Sequence, residues 1–120
     1  KKAAAAPAKQ FSYRRIGSLG DASERTASLS IGDIDGDDDL DIVVANGRHW
    51  AGQNKIFLND LKNGGRGTFS TQQILDTDKS TSYTAALGDI DGDGDMDLAS
   101  ASSFDDEIAW YENTIGDGSA

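Results

Sequence analysis

The chain has 120 residues, 37% hydrophobic and 27% charged, which suits one ordinary folded domain and is too short for two. Its 21 acidic against 11 basic residues give a net charge of −10, the wrong sign for neutralising phosphates, so nucleic acid and anionic membranes are poor partners. No apolar run approaches the ~18 residues that a membrane-spanning helix requires, which speaks against membrane insertion, and the absence of cysteine excludes a disulfide scaffold or thiolate metal site.

Residues 1–10 hold Ala3 to Ala6, Pro7 and three Lys, without the apolar core of a secretory signal, and read as an N-terminal tail or linker. Phe11 to Ile16 alternates and is expected to be a strand. Thr26 to Ile31 alternates too, with Ala27, Leu29 and Ile31 on one face and Ser28 and Ser30 on the other. After an acidic run, Leu40 to Ala45 is apolar or small on both faces, as a central strand should be. Lys55 to Leu58 is a short β-branched and aromatic strand, Asn63-Gly64-Gly65 is turn chemistry, and Phe69 to Leu75 alternates again. The same succession follows in Ser82 to Leu87, a second acidic run, Met96 to Ala101 and Ile108 to Tyr111. Nothing between Phe11 and Asn113 has a 3.6-residue period, so the body is all-β.

The succession is an internal repeat. Gly32-Asp33-Ile34-Asp35-Gly36-Asp37 recurs letter for letter as Gly88-Asp89-Ile90-Asp91-Gly92-Asp93, an offset of 56. Phe57-Leu58 is matched to Trp110-Tyr111 at an offset of 53, and Phe11-Ser12 with Ile16 to Phe69-Ser70 with Ile74 at 58. One unit is placed at 11–68 and a second at 69–120. Periods of this size signal solenoids, propellers or arrays.

Eleven of the 21 acids sit in the two runs, and neither run holds a Lys or Arg. Carboxylates ~4 Å apart repel by about 1 kcal/mol in water and about 4 at an effective dielectric of 20, so such packing calls for a cation. Counting Asp33 as position 1, acids fall at 1, 3, 5 and 9 as Asp33, Asp35, Asp37 and Asp41; the second run places Asp89, Asp91, Asp93 and Asp97 identically. Hard oxygen donors at alternate positions of a tight turn suit Ca²⁺. Asp39 and Asp95, at position 7, are expected to add backbone carbonyls, and position 9 to bind through both oxygens. An EF-hand or dockerin loop would need an acid at position 12, where Val44 and Ser100 stand inside strand patterns. Asp38 occupies position 6, where the second run has Gly94.

These loops, each followed by an apolar strand, resemble the FG-GAP/VCBS repeat of integrin-α-like β-propellers, in which a D-x-D-x-D-G-x-x-D calcium loop joins the first and second strands of each blade. The resemblance implies two Ca²⁺ sites and two four-stranded antiparallel propeller-type blades. Two blades fall short of the ~4–8 that close a propeller. The chain also begins with a strand like the outermost of a blade and ends after the third strand of another. The expectation is therefore self-association by strand exchange, into an oligomeric propeller or a fibre, or membership of a larger propeller.

The face opposite the calcium loops is expected to carry Gly17 to Arg25, Asn46 to Asn54, Asp76 to Thr81 and Ser102 to Asp106. There Asn46, Arg48, His49, Trp50 and Gln53, with Phe104 as the second copy's counterpart, are candidate contacts for a glycan or protein. Phe57, Trp110, Tyr111, Phe11 and Phe69 read as blade packing. His49 is the only histidine and no Ser sits in a G-x-S-x-G turn, so the chain is expected not to be an enzyme. Three roles follow: a calcium-stabilised extracellular recognition or adhesion module, a structural subunit that assembles into rings or filaments, or a non-catalytic domain of a larger secreted enzyme.

Overall fold

Period-2 patterning in short segments, cut by Gly, Asn and Asp, leaves the backbone little choice but antiparallel sheet. In the computed structural model, residues 12–15, 17–20, 25–47, 49–60, 69, 71–75, 81–103 and 106–114 are described. Among these residues seven strands form: β1 (Thr26–Gly32), β2 (Asp41–Asn46), β3 (Lys55–Leu58), β4 (Thr71–Ile74), β5 (Ser82–Gly88), β6 (Asp97–Ser102) and β7 (Ile108–Tyr111). They make two antiparallel sheets, ordered β1-β2-β3-β4 and β5-β6-β7. The described part of the chain is all-β, two blade-like units in sequence.

The sheets repeat each other in register. Ile31 faces Ile42 and Gly32 faces Asp41 in the first; Leu87 faces Leu98 and Gly88 faces Asp97 in the second. Both inner strands shift register near their start, between Thr26 and Ser28 and between Ser82 and Thr84. Sequence repeat and sheet are out of phase, because β4 lies in the second sequence unit yet pairs with β3 in the first sheet.

Four readings need correction. Leu40 and Met96 lie in the loops and not in β2 and β6, since each strand starts at the acid that follows. Ser12 to Arg15 lie in no strand and all four are exposed, so the segment buries no face of the kind that fixes a strand's register; Phe11 and Ile16 are outside the described residues. The match between third strands is 54 residues and not 53, because Phe57 pairs with Ile42 where Tyr111 pairs with Leu98. Trp110, expected inside, is 54% exposed, on the side of β7 that the first sheet does not cover.

The core lies between the sheets. Val43, Ala45 and Ile56 of the first pack with Ala85 and Leu98 of the second and with Ile34 of the first loop; Leu58, Leu75, Leu87 and Tyr111 close its edge. Polar links tie the two innermost strands together: Ser30 Oγ donates to Ala85 O, and Ala85 N donates to Ser28 Oγ at 3.2 Å. The small serines that alternate along β1 let β5 approach this closely. Gly32 does the same, since a Cβ there would come within 2.9 Å of Leu87 Cδ1. At the equivalent Gly88 nothing lies within 4 Å.

The pair makes a differential test of this packing. Gly32→Leu is expected to cost about 1–3 kcal/mol through overpacking against Leu87, while Gly88→Leu stays within about 0.5 kcal/mol of the parent. Urea unfolding of dilute protein checks both; equal costs would contradict the packing.

Candidate metal centres

Each acidic run folds into a loop closed by its own carboxylates. Asp33 Oδ1 accepts from the backbone N–H of Gly36 at 2.8 Å and Asp37 at 3.1 Å, and its Oδ2 accepts from Asp38 at 2.9 Å. Asp35 accepts from Asp37 N at 3.3 Å, and Asp37 from Asp39 N at 2.9 Å. The second loop reproduces all of these. Asp89 accepts from Gly92, Asp93 and Gly94 at 2.7, 3.0 and 2.9 Å, Asp91 from Asp93 at 3.2 Å, and Asp93 from Asp95 at 2.9 Å. The bend needs left-handed backbone at two places. Gly36 and Gly92 take φ of 78°, while the sixth position is 69° at Asp38 and 97° at Gly94. Asp enters this region more readily than most residues, which is how the first loop tolerates a side chain there.

The alternation turns carboxylates toward one point. Ligand oxygens of Asp33, Asp35 and Asp37 lie within 4.8 Å of one another, as do those of Asp89, Asp91 and Asp97. Asp41 in the first loop and Asp93 in the second fall outside these triads. Crowding shows in the acidities. The Asp35 pKa is raised, first by desolvation and then by Asp41 and Asp37. The Asp91 pKa is pushed up to about 6, chiefly by desolvation with Asp93 and Asp97 adding to it, against a hydrogen bond from Asp93 N that lowers it. These are oxygen-only clusters with charge to spare, and they could hold a hard divalent cation.

Position 9 does a second task. Asp41 is fully buried; its Oδ2 accepts from Ile34 N at 2.7 Å and its Oδ1 from Asn59 N at 2.9 Å. Asp97 accepts from Ile90 N at 2.8 Å and Asp91 N at 3.3 Å, and from Asn113 N at 2.8 Å. Those backbone bonds, Asn113 foremost, hold the Asp97 pKa below its ordinary value despite desolvation. So each ninth carboxylate ties the start of its loop to the end of the third strand.

Asn59 and Asn113 are residues that sequence reasoning passed over. Their Nδ2 groups donate to Leu40 O at 3.1 Å and Met96 O at 3.0 Å. Asn113 also donates to Ile34 O at 2.7 Å, joining the second sheet to the first loop. The signal was present: at an offset of 54, Phe57-Leu58-Asn59 aligns with Tyr111-Glu112-Asn113. The offset of 53 hid it.

The expected ligand face at the other end of the first sheet separates into inner and outer residues. Asn46 is buried and committed to the fold: it accepts from Thr26 Oγ1 at 2.8 Å and donates to Gln53 O at 2.8 Å, while Asn54 Oδ1 accepts from its backbone N at 3.0 Å. Asn54 in turn donates to Ser82 Oγ of the second sheet at 3.0 Å. Asn46 is thus a clamp within the loop and not a surface contact, and Gln53 is half-buried beside it. Trp50 is 61% exposed, with the Arg25 guanidinium 5.0 Å from its ring centroid. His49 Nδ1 shares a hydrogen bond of 3.0 Å with the Tyr83 hydroxyl. Arg48 and Phe104 lie outside the described residues.

Two predictions concern the metal-free chain. Asp41→Ala leaves the buried N–H of Ile34 and that of Asn59 without their acceptor, at about 1–3 kcal/mol each, and lowers the urea midpoint even with chelator present. The second is a pH profile. Asp91's raised pKa makes its contribution favourable at low pH and lost as pH rises through about 6; Asp97's lowered pKa makes its contribution intact above its ordinary value of 3.8 and lost below it. Stability in chelator should therefore rise from about pH 7 to about 5 and fall below about 3.8. Asp91→Asn should flatten the upper limb, and an unchanged limb would contradict the crowding.

A family model described as an FG-GAP-like repeat matches residues 33–100, from the first carboxylate of one loop to the strand behind the other. No curated protein and no solved structure matches the chain. The match spans more than half of the chain and both acidic loops, and the sheets on either side have the strand order of propeller-type blades. The chain belongs to the FG-GAP-like repeat family.

Proposed function

We propose that this chain is a non-catalytic, calcium-stabilised recognition module that works outside the cell, meeting a glycan or protein partner through the loops opposite its metal centres. The observation that carries the calcium reading is the duplicated cradle: two loops closed by the same backbone-to-carboxylate pattern, each bringing three carboxylates within 4.8 Å. A tight turn with this much unbalanced charge has a use for a doubly charged hard ion. Asp33, Asp35 and Asp37 would hold one and Asp89, Asp91 and Asp97 the other, offsetting four of the net ten negative charges. Bound calcium would supply structural charge balance. The loops hold their backbone through their own carboxylates, and bound calcium would add to that hold.

An extracellular setting follows from calcium supply, because extracellular modules bind at Kd of ~10⁻⁴–10⁻³ M, matched to the millimolar ion outside cells. No helix among the described residues is long and apolar enough to cross a membrane. For recognition, the supporting feature is exposed Trp50 under the Arg25 guanidinium, with His49 and Tyr83 hydrogen-bonded beside it. An aromatic face flanked by donors suits adhesion to a sugar or to a polar protein surface.

Calorimetric titration should give two Ca²⁺ per chain. At tenfold excess over Kd each site adds about 1.4 kcal/mol, seen as a rise in Tm. Asp33→Ala and Asp89→Ala should each remove one site. A melt indifferent to calcium and chelator would refute the metal assignment. Protons compete for Asp91, so affinity at the second site should weaken as pH falls through about 6. On a glycan array in calcium, binding should be lost in Trp50→Ala with the calcium-dependent melt intact; an array on which the parent chain binds nothing would remove the carbohydrate part of the reading.

A further inference from the structure

At the loop end of the first sheet one buried glycine sets two distant side chains together. Gly47 N donates to Arg25 O at 2.9 Å, and Gly47 O accepts from Trp50 N at 2.6 Å. Gly47 also makes a parallel bridge to Ser82 at the start of β5, and its φ of 121° is left-handed backbone that favours glycine. Residues 25 positions apart in the chain thus hang from one point. The Arg25 guanidinium lies over the Trp50 ring, 5.0 Å from its centroid. Beside them His49 meets Tyr83 edge-on, with ring centroids 5.8 Å apart and the 3.0 Å hydrogen bond through Nδ1. Arg25, His49 and Trp50 are all exposed, on a backbone frame whose centre is buried.

The frame does not need this cation. In the second sheet Ser103 N donates to Thr81 O at 3.4 Å, the counterpart of the Gly47–Arg25 bond at the repeat offset of 56. Thr81 stands where the first unit has Arg25, so the strand entry closes without a guanidinium. Nor is the guanidinium spent on an ion pair, since among the described residues no carboxylate pairs with it. Its surroundings admit an anion. In a chain of net charge −10, residues 42–59, which include His49 and Trp50, hold no Asp or Glu. An arginine stacked over an aromatic ring keeps its N–H edge for a planar carboxylate, which it takes through two parallel hydrogen bonds.

We infer that the ligand of this site is a carboxylate-bearing glycan, whose acidic sugar pairs its carboxylate with Arg25 and lays its ring against Trp50. This rests on the recognition reading above and narrows it to one ligand chemistry. A sugar suits the site better than an acidic peptide because Trp50, 61% exposed, offers a broad apolar surface to the C–H face of a pyranose. His49 commits Nδ1 to Tyr83, which leaves Nε2 of an exposed ring for a sugar hydroxyl. Arg25 sets the charge of the ligand and Trp50 its shape. Their common anchor on Gly47 fixes the spacing between them, so little ordering is left to be done on binding. The ion pair forms at the surface, so binding weakens as salt is raised.

The test is binding of the whole chain, in calcium, to an array of uronate- and sialate-bearing glycans. Each is printed beside its methyl ester and its carboxyl-reduced form, with oligoglutamate peptides on the same slide. The parent should bind the acidic glycans and lose at least about tenfold in affinity once they are esterified, the loss expected for a charge-assisted hydrogen bond. Arg25→Gln should bind the acidic glycans no better than their esters while keeping the parent's calcium-dependent melt, since the frame bonds to the backbone carbonyl of Arg25. Arg25→Lys should recover part of the preference, and Trp50→Ala should lose the acidic and esterified forms alike. Equal binding of acid and ester, or a preference that survives Arg25→Gln, would overturn the inference and leave the recognition reading standing. Binding to oligoglutamate alone would assign the site to an acidic protein partner and overturn the glycan. A parent that binds nothing on the slide would overturn both.

Discussion

Everything in this molecule hangs on a buried carboxylate placed where a loop becomes a strand. Asp41 and Asp97 each receive backbone N–H groups from the start of the acidic loop and from one or two residues past the third strand. A carboxylate is the only side chain that can accept from both sides at once with full charge, and charge-assisted bonds of this kind are about twice as strong as neutral ones. The loop is thereby fixed at both ends by the protein's own hydrogen bonds. Its remaining acids are forced to face one another, and the desolvation, with neighbouring charge added to it, that raises Asp35 and Asp91 is the cost of that arrangement.

The apolar core explains why such staples matter. Among the described residues the sizeable buried apolar side chains are Ile34, Val43, Ile56 and Leu98 between the sheets and Val44 and Phe57 on the far side of the first sheet, each contributing about 1.5–3 kcal/mol. That is thin for a chain that must also order long polar loops, since each fixed residue costs about 1–2 kcal/mol of backbone entropy. The fold therefore draws on polar cross-links at both ends of the sheets. At one end Asn113 joins the second sheet to Ile34 of the first loop; at the other Asn54 reaches Ser82. The blades are joined by hydrogen bonds around a small apolar centre.

The metal end and the loop end obey different rules. At the metal end both sheets share the pattern of backbone N–H groups held by the first, third, fifth and ninth carboxylates, as a duplicated structural unit should. At the other end they diverge. The first sheet has a long connection folded back on itself through Asn46 and Gly52, where an added Cβ would strike the backbone of Gly47 at 2.9 Å. The second passes from Ser102 to Ile108 in a few residues, with Ser102 N bonded to Glu107 O.

The sequence by itself determined the sheets and the acidic loops. Alternation placed β3 and β7 to the residue and the other strands to within two, because register and side-chain face are local consequences of a period of 2. The spacing of Asp33, Asp35 and Asp37 was legible for the same reason: a tight turn brings alternate side chains to one side whatever surrounds it. Tertiary structure alone decided the rest. The dual role of Asp41 and Asp97 and the recruitment of Asn59 and Asn113 depend on where the third strand ends, a contact across 16 to 18 residues that no local pattern encodes. Asn46 looked like a surface ligand, but its amide is consumed inside the loop, and Trp110 looked like core but stands on an outer face. Burial is a property of what packs on a residue, and for this chain only the assembled pair of sheets says which faces are covered.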